Sequence, residues 1–510
     1  MSCTTATFVI SLLLLTTAAA TASSYSQASS DAILKAKALV SQAKAWAART
    51  SASALYRYRS DQDHQHRRMP NHPRNLSLAL SDCERLYEMS KFRLEQLLHG
   101  GLESTHAWDD ATTWLSSVLA NHWSCLDGLN EGHDRGSIPS AGSRNLTSLI
   151  SEALAYSHEK RNGATGIRKG FGQPRPKPSQ YEGLLASWNA ATSKADFEVA
   201  KDGSGTHGTI NEALAALGRM GSNRPSRVVI YVKAGVYSEK VEIEKNMQDV
   251  MFVGDGMDRT IVTGSRNVPD GSTTFSSATI GVSADGFWAR DMTFENTAGP
   301  SKHQAVALRV NSDRSVFYRC SFKAYQDTLF THSLRQFYRD CHIYGTIDFI
   351  FGDAAVVLQN CDIFVRKPMS HQANMIAAQG RDDPNSNTGI SIHGCRVAPA
   401  REFMSVKGSF KSYLGRPWKR YSRTVIMKTD LDGLIDPKGW MEWSGDFALS
   451  TLFYGEYMNT GNGALTKSRV RWAGFHVLRS PEEAHPYSVS RFIQGDSWIP
   501  KTGVPFSLGV

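Results

Sequence analysis

Asp327 and Asp348 stand 21 residues apart, and their surroundings differ. Asp348 lies inside Gly345-Thr-Ile-Asp-Phe-Ile-Phe-Gly352, a run otherwise fit for a protein interior. A carboxylate in such company is costly, or changes its pKa, unless hydrogen bonds or an opposite charge compensate it. Asp327 lies in Tyr325-Gln-Asp-Thr-Leu329. If one coil of a repeating structure takes about 21 residues, the two acids occupy adjacent strands, about 4.8 Å apart. Two such carboxyl groups cannot both ionise easily, so one serves as nucleophile or base and its neighbour as acid. Gln304 lies 22 residues before Gln326, a further coil back. Their amides are neutral donors suited to an oxyanion. Arg416 in Leu-Gly-Arg-Pro-Trp418 supplies a cation for the ionised aspartate. Trp418 offers a flat apolar face for a sugar ring. Together these groups describe acyl transfer on a carbohydrate ester. Taken singly, Asp327 reads as a turn cap, the glutamines as a stacking ladder and Arg-Pro-Trp as surface packing. The setting of Asp348 and the one-coil spacing favour the site.

These residues need elements that hold them in register. After residue 196 the hydrophobic period is two, in short runs such as RVVIYV, VMFVG, SVFYRCSF, RQFYRDCHI, VVLQNCDIF and GISIHGCRV, with turn residues between. Cys320, Cys341, Cys361 and Cys395 each head a similar tripeptide, the first three 21 and 20 residues apart. Such self-similarity without long helices predicts stacked coils of a parallel β-helix, although sandwiches and propellers fit the period alone. Residues 30–160 carry helical periodicity in four stretches, which predicts an up-down four-helix bundle. Cys83 and Cys125 fall on the second and third helices and are placed to staple them. A Gly-, Pro- and Arg/Lys-rich segment at 161–195 reads as a linker. Gly203-Ser-Gly-Thr-His-Gly208 fits a dinucleotide-binding turn, but the next strand ends in Lys233 with no acid placed for a ribose. It is expected instead to lead into a short helix capping the β-helix.

The 510 residues suffice for two or more domains, and their balance of 41% hydrophobic and 21% charged residues is that of a globular protein. The formal charge of +9 favours a polyanion as substrate or anchor, but does not choose between nucleic acid, anionic lipid and acidic polysaccharide. Residues 1–24 read as a signal peptide: FVISLLLL is too short to span a bilayer and small residues follow it. No other stretch is long and apolar enough to span one. Six cysteines remain beyond Cys3, an even count that favours disulfides in a secreted chain. Asn75 and Asn145 head glycosylation sequons.

The ordered stretches GVYSE, QAVALR, YQDTL, GTIDFIFG and LGRPW closely resemble those of plant pectin methylesterases, over about residues 196–510. LALSDC and TWLSSVLANHWSCLDG resemble the inhibitor domain that precedes many of those enzymes. The resemblance implies an all-β right-handed parallel β-helix behind an all-α bundle, hydrolysis of galacturonate methyl esters, a secreted enzyme of the cell wall, and neither metal nor cofactor. By motif, Asp348 resembles the nucleophile and Asp327 the proton donor that later acts as base. Gln326 resembles the oxyanion stabiliser, with Gln304 assisting. Arg416 is like the residue that hydrogen-bonds the nucleophile, Trp418 like a sugar contact, and Thr274 like a further substrate contact. The expected partners are pectin and the chain's own helical domain, not nucleic acid. Two departures stand out: the inhibitor family's early cysteine pair is absent, and so is the usual basic Leu-Leu processing sequence in the linker. Among the β-helix cysteines, Cys341–Cys361 is the first expected disulfide. Cys361–Cys395 and free buried thiols are the alternatives. A non-catalytic pectin-binding protein and a β-helical lyase or glycosidase are the competing readings.

Overall fold

The period-two segments wind into three parallel sheets of 11, 8 and 7 strands. Each full coil gives one strand to each sheet in turn, the right-handed parallel β-helix expected. The structure is a computed structural model that describes residues 30–53, 72–99, 107–131, 140–165 and 183–510. Runs that read as single strands are each two strands around a sharp corner. Ser315–Tyr318 lies in the first sheet and Ser321–Lys323 in the second, and Arg335–Arg339 and His342–Gly345 repeat the arrangement. One residue in the left-handed conformation makes each corner: Arg319 (φ 51°), Asp340 (φ 54°), Asn360 (φ 56°) and Gly394 (φ 60°). A period of two cannot report a corner made by one residue's backbone. In the third sheet Ile280, Leu308, Leu329, Ile350 and Ala377 stack in one row, so successive coils are 28, 21, 21 and 27 residues long. Loops lengthen the other coils; the 21-residue spacing holds where the two aspartates lie.

Aromatic stacks fill the interior. Phe317 stacks on Tyr338 at 4.8 Å and Phe294 on Phe322 at 5.8 Å. Burial of a side chain of the Phe type contributes about 1.5–3 kcal/mol. Cys320, Cys341, Cys361 and Cys395 follow the corners and lie in the same core as free thiols, which corrects the expected Cys341–Cys361 disulfide. The corner itself supplies acceptors: the Cys341 thiol points to the carbonyls of Arg339 and Phe317, and the Cys361 thiol to those of Gln359 and Tyr338. The dinucleotide-like glycines lead into the helix Ile210–Arg219, started by a capping box between Thr209 and Glu212. Its buried face closes over the first coil, as expected.

Among the described residues, four long helices precede the β-helix: α1 (residues 30–53), α2 (His72–His99), α3 (Ala107–Glu131) and α4 (Ser140–Thr165). The Cys83–Cys125 disulfide joins α2 to α3. Helix α4 runs five residues past the expected boundary at 160. The expected signal peptide and residues 166–182 of the linker lie outside the described residues. Beyond them, Leu185 and Trp188 are already buried against the first sheet, and Arg290 donates to the carbonyls of Leu185 and Ala186. The bundle core is continuous with β-helix side chains: Leu80, Leu119 and Leu129 share one apolar cluster with Phe275, Phe330 and Phe351. Helices α2 and α3 therefore lie on the face that carries the aspartates.

Candidate active site

The backbone aims the two acids. Asp327 (φ 63°) and Asp348 (φ 51°) are both left-handed, and each stands two residues before the paired Leu329 and Ile350. Left-handed backbone costs a non-glycine residue on the order of 1 kcal/mol, least for Asn and Asp. Here it turns Asp348 out of its apolar run, so Phe349 and Ile350 enter the core while the carboxylate faces a cavity. The coils are locked together by Asp327 N–H donating to Ile347 O (3.0 Å) and Ala305 N–H to Gln326 O (3.3 Å). Gln304 and Gln326 form an isolated parallel bridge on the same edge.

A single cavity of about 260 Å³ is lined by Thr274, Gln304, Gln326, Asp327, Asp348, Arg416 and Trp418. Arg416 grips Asp348 with both arms, Nε to Oδ1 at 2.9 Å and Nη2 to Oδ2 at 2.6 Å. The guanidinium also lies 4.4 Å from the Trp443 ring. Burial pushes the Asp348 carboxyl upward, and Arg416 opposes that shift. Asp327 has no cation within bonding reach among the described residues. Burial, then the charge of Asp348, then that of Glu131 push it well above the carboxylate range. Burial raises both carboxyls; Arg416 favours the charged form of Asp348, and Asp327, without a bonded cation, is the one held well above the carboxylate range. The side chains of Gln304 and Gln326 have no protein partner among the described residues. Phe330 and Phe351 stack at 4.3 Å, with Trp418 edge-on to Phe351 at 6.0 Å, forming an apolar wall. A cation-held carboxylate, a second carboxyl favoured in its protonated form, neutral N–H donors and an aromatic wall are the kinds of group that acyl transfer on an ester uses.

Four residues of α3, Ser124, Asp127, Gly128 and Glu131, line the same cavity. Ser124 Oγ lies 2.8 Å from His332 Nε2, and Lys419 Nζ donates to Asp127 at 2.9 Å. Glu131 accepts from Thr274 N–H (2.9 Å) and from Thr274 Oγ1 (2.7 Å). Burial pushes the Glu131 carboxyl up to about 7, with Asp127 and Asp82 adding to the shift and Thr274 opposing it. Sequence reasoning missed Glu131, Asp82 and Trp443. Acids on an amphipathic helix read as a solvated face, and nothing in their spacing marks a partner in another domain. Of the sequon residues, Asn145 is exposed on α4, whereas Asn75 abuts the loop at Gly271 (φ 99°), where an added Cβ would lie 2.8 Å from Asn75 Oδ1. Among the described residues no cluster of His, Cys, Asp and Glu has the arrangement of a metal site, and no helix is long and apolar enough to cross a membrane.

The class defined by fold and cavity is a parallel β-helix with a paired-carboxylate site on its outer face, covered by a helical bundle. Residues 196–496 match the family model described as Pectinesterase, and residues 15–156 match that of the plant invertase/pectin methylesterase inhibitor. A probable pectinesterase/pectinesterase inhibitor of Arabidopsis thaliana is 63% identical over 457 residues, covering 85% of this chain and 87% of the relative. The solved pectin methylesterase from carrot is 54% identical, with a TM-score of 0.61, and covers 63% of this chain and 100% of its own. That of Aspergillus niger is 31% identical, with a TM-score of 0.51, covering 60% and 96%. The chain belongs to the pectinesterase family, carboxylic ester hydrolases, with an inhibitor-type domain ahead of the catalytic one.

Proposed function

We propose that the chain hydrolyses the methyl esters of galacturonosyl units in pectin. The observation that carries this reading is Asp348, gripped through both oxygens by Arg416, beside Asp327 in one cavity, with burial and the neighbouring charge raising Asp327 well above the carboxylate range. Asp348 attacks the ester carbonyl carbon. The amides of Gln326 and Gln304 hold the developing oxyanion. As the tetrahedral intermediate collapses, the C–O bond to the methoxy group breaks, and Asp327 gives its proton to the departing methanol. Asp327, now ionised, takes a proton from water. The hydroxide attacks the acyl carbon, Asp348 leaves as a carboxylate, and the uronic acid formed gives its proton to solvent, which leaves a free carboxylate on the sugar. Trp418 and Thr274 position the chain of sugars.

The protein is exported after loss of residues 1–24 and acts on cell-wall pectin, consistent with its net charge of +9. The β-helical domain of 196–510 carries the activity. The helical domain of 30–160 holds it latent, because α3 forms one wall of the cavity that the sugar must enter. Methanol release from methylated pectin at pH 8, by the chain cut within residues 166–182 so that the helical domain can leave, tests the activity. Absence of methanol together with pectin binding would favour a non-catalytic wall protein, and new reducing ends would favour a glycosidase.

A further inference from the structure

Asn75 heads a glycosylation sequon, yet the docked fold encloses it. It lies half-buried in the first turn of α2, against the catalytic domain. Its carboxamide faces Gly271, where a Cβ would lie 2.8, 3.7 and 3.9 Å from Asn75 Oδ1, Cγ and Nδ2. Gly271 has φ 99° and no side chain to fold away. The loop around it is braced. Gly271 N–H donates to Val268 O (2.9 Å), Ser272 N–H to Asn267 O (3.2 Å) and Val268 N–H to Gln304 O (3.0 Å). Asn267 is buried and bonded on both sides of its amide to Asp270. A sugar ring on Asn75 Nδ2 is larger than this gap, so the start of α2 has to move off the loop. Asp82 moves with it. It lies about two turns along the same helix and accepts from Thr273 and Ser276, further along the same loop.

Ser77 supplies the hydroxyl that completes the sequon. It is 6% exposed, with Oγ 3.1 Å from Ser51 Oγ of α1. The finished bundle therefore hides the acceptor sequence, and a glycan can join Asn75 only while this segment is unfolded. Asn145 is the contrast, exposed on α4. We propose that Asn75 is a modification site whose glycan excludes docking. In the nascent chain the Asn75 Nδ2–C1 bond forms as the C1–O bond of a lipid-linked oligosaccharide diphosphate breaks, and the amide proton leaves with the lipid diphosphate. A chain modified in this way folds with α2 held off Gly271 and the catalytic cavity open. A chain that folds first buries Ser77, docks and stays bare at Asn75. Export thus yields two populations, one open and one latent, without a cut in the linker. This rests on the reading of an exported pectinesterase.

The test uses the full, uncut chain secreted from a eukaryotic host. In Asn145→Gln, Asn75 heads the one sequon left in the sequence, so a mannose-binding lectin sorts chains by that site alone. The retained fraction is expected to release methanol from methylated pectin at pH 8 about tenfold faster than the unretained one, the equivalent of about 1.4 kcal/mol of docking. Backbone hydrogen exchange in α3 should rise with it, at unchanged helical content. Asn75→Gln, glycosylated at Asn145, should match the unretained fraction. Equal rates in the two fractions overturn the inference and leave the pectinesterase reading standing. So do Asn75 bare in every molecule and a retained fraction whose helices have melted. Failure of export, or no methanol even after cutting within residues 166–182, overturns that reading as well.

Discussion

Asp348 is tolerated in an apolar run because two features of its surroundings cooperate. A left-handed backbone turns it outward, and Arg416 meets both of its oxygens. Removing one partner of a buried ion pair typically costs about 3–5 kcal/mol, because the other is left charged or forced to titrate. Arg416→Ala should therefore lower the unfolding midpoint. Arg416 is the group that opposes the upward shift of Asp348, so its loss raises the pH at which Asp348 ionises. The acidic limb of the pH–rate profile should move to higher pH, as initial rates of methanol release would record. Gln326→Ala removes one neutral donor and should lower that rate by on the order of 10²–10³. At this scale the sequence was informative about the catalytic domain, since an acid among Ile347, Phe349 and Ile350 needs a compensating partner. It said nothing of Glu131, whose role depends on a contact made 143 residues away at Thr274.

At the scale of elements, the strand–turn periodicity and the 21-residue spacing were legible, and they placed the two acids on neighbouring coils. The corners were not legible, because a single left-handed residue such as Arg319 or Asp340 leaves no periodic trace. The cysteines were misread for the same reason: their repeat marks the inside of a corner whose carbonyls accept the thiols. Helix α3 bears the element-scale consequences. The docked environment raises Glu131 from 4.5 to about 7, so the docked form binds a proton that the released form gives up. Its contribution to docking is fully present below pH 4.5 and is lost as pH rises through 7. The groups facing it are Asp127 on its own helix, Asp82 on α2, and Asp327 and Thr274 on the β-helix. Proteolytic release of the helical domain should rise across that interval, and Glu131→Gln should flatten the dependence. Cys83 and Cys125 close a long loop between α2 and α3, so replacing both by serine should destabilise the bundle by about 2–4 kcal/mol, read as a lower first unfolding transition.

The whole molecule is an enzyme surface and its cover built in one chain. The seam combines apolar contact with ion pairs: Arg93 to Asp285 at 2.6 Å, Arg335 to Asp110 at 2.7 Å and Lys419 to Asp127 at 2.9 Å. The sequence announced both domains but not their docking, because each of these charges reads locally as a solvated residue. Asp348 as the group that attacks the ester is the assignment on which the proposed reaction turns. The most direct measurement is methanol release from methylated pectin at pH 8 by Asp348→Asn beside the parent chain, both cut within residues 166–182 so that the cover can leave. A rate lower by on the order of 10⁴ or more is predicted for loss of a covalent nucleophile. An Asp348→Asn chain that released methanol within tenfold of the parent would contradict the account.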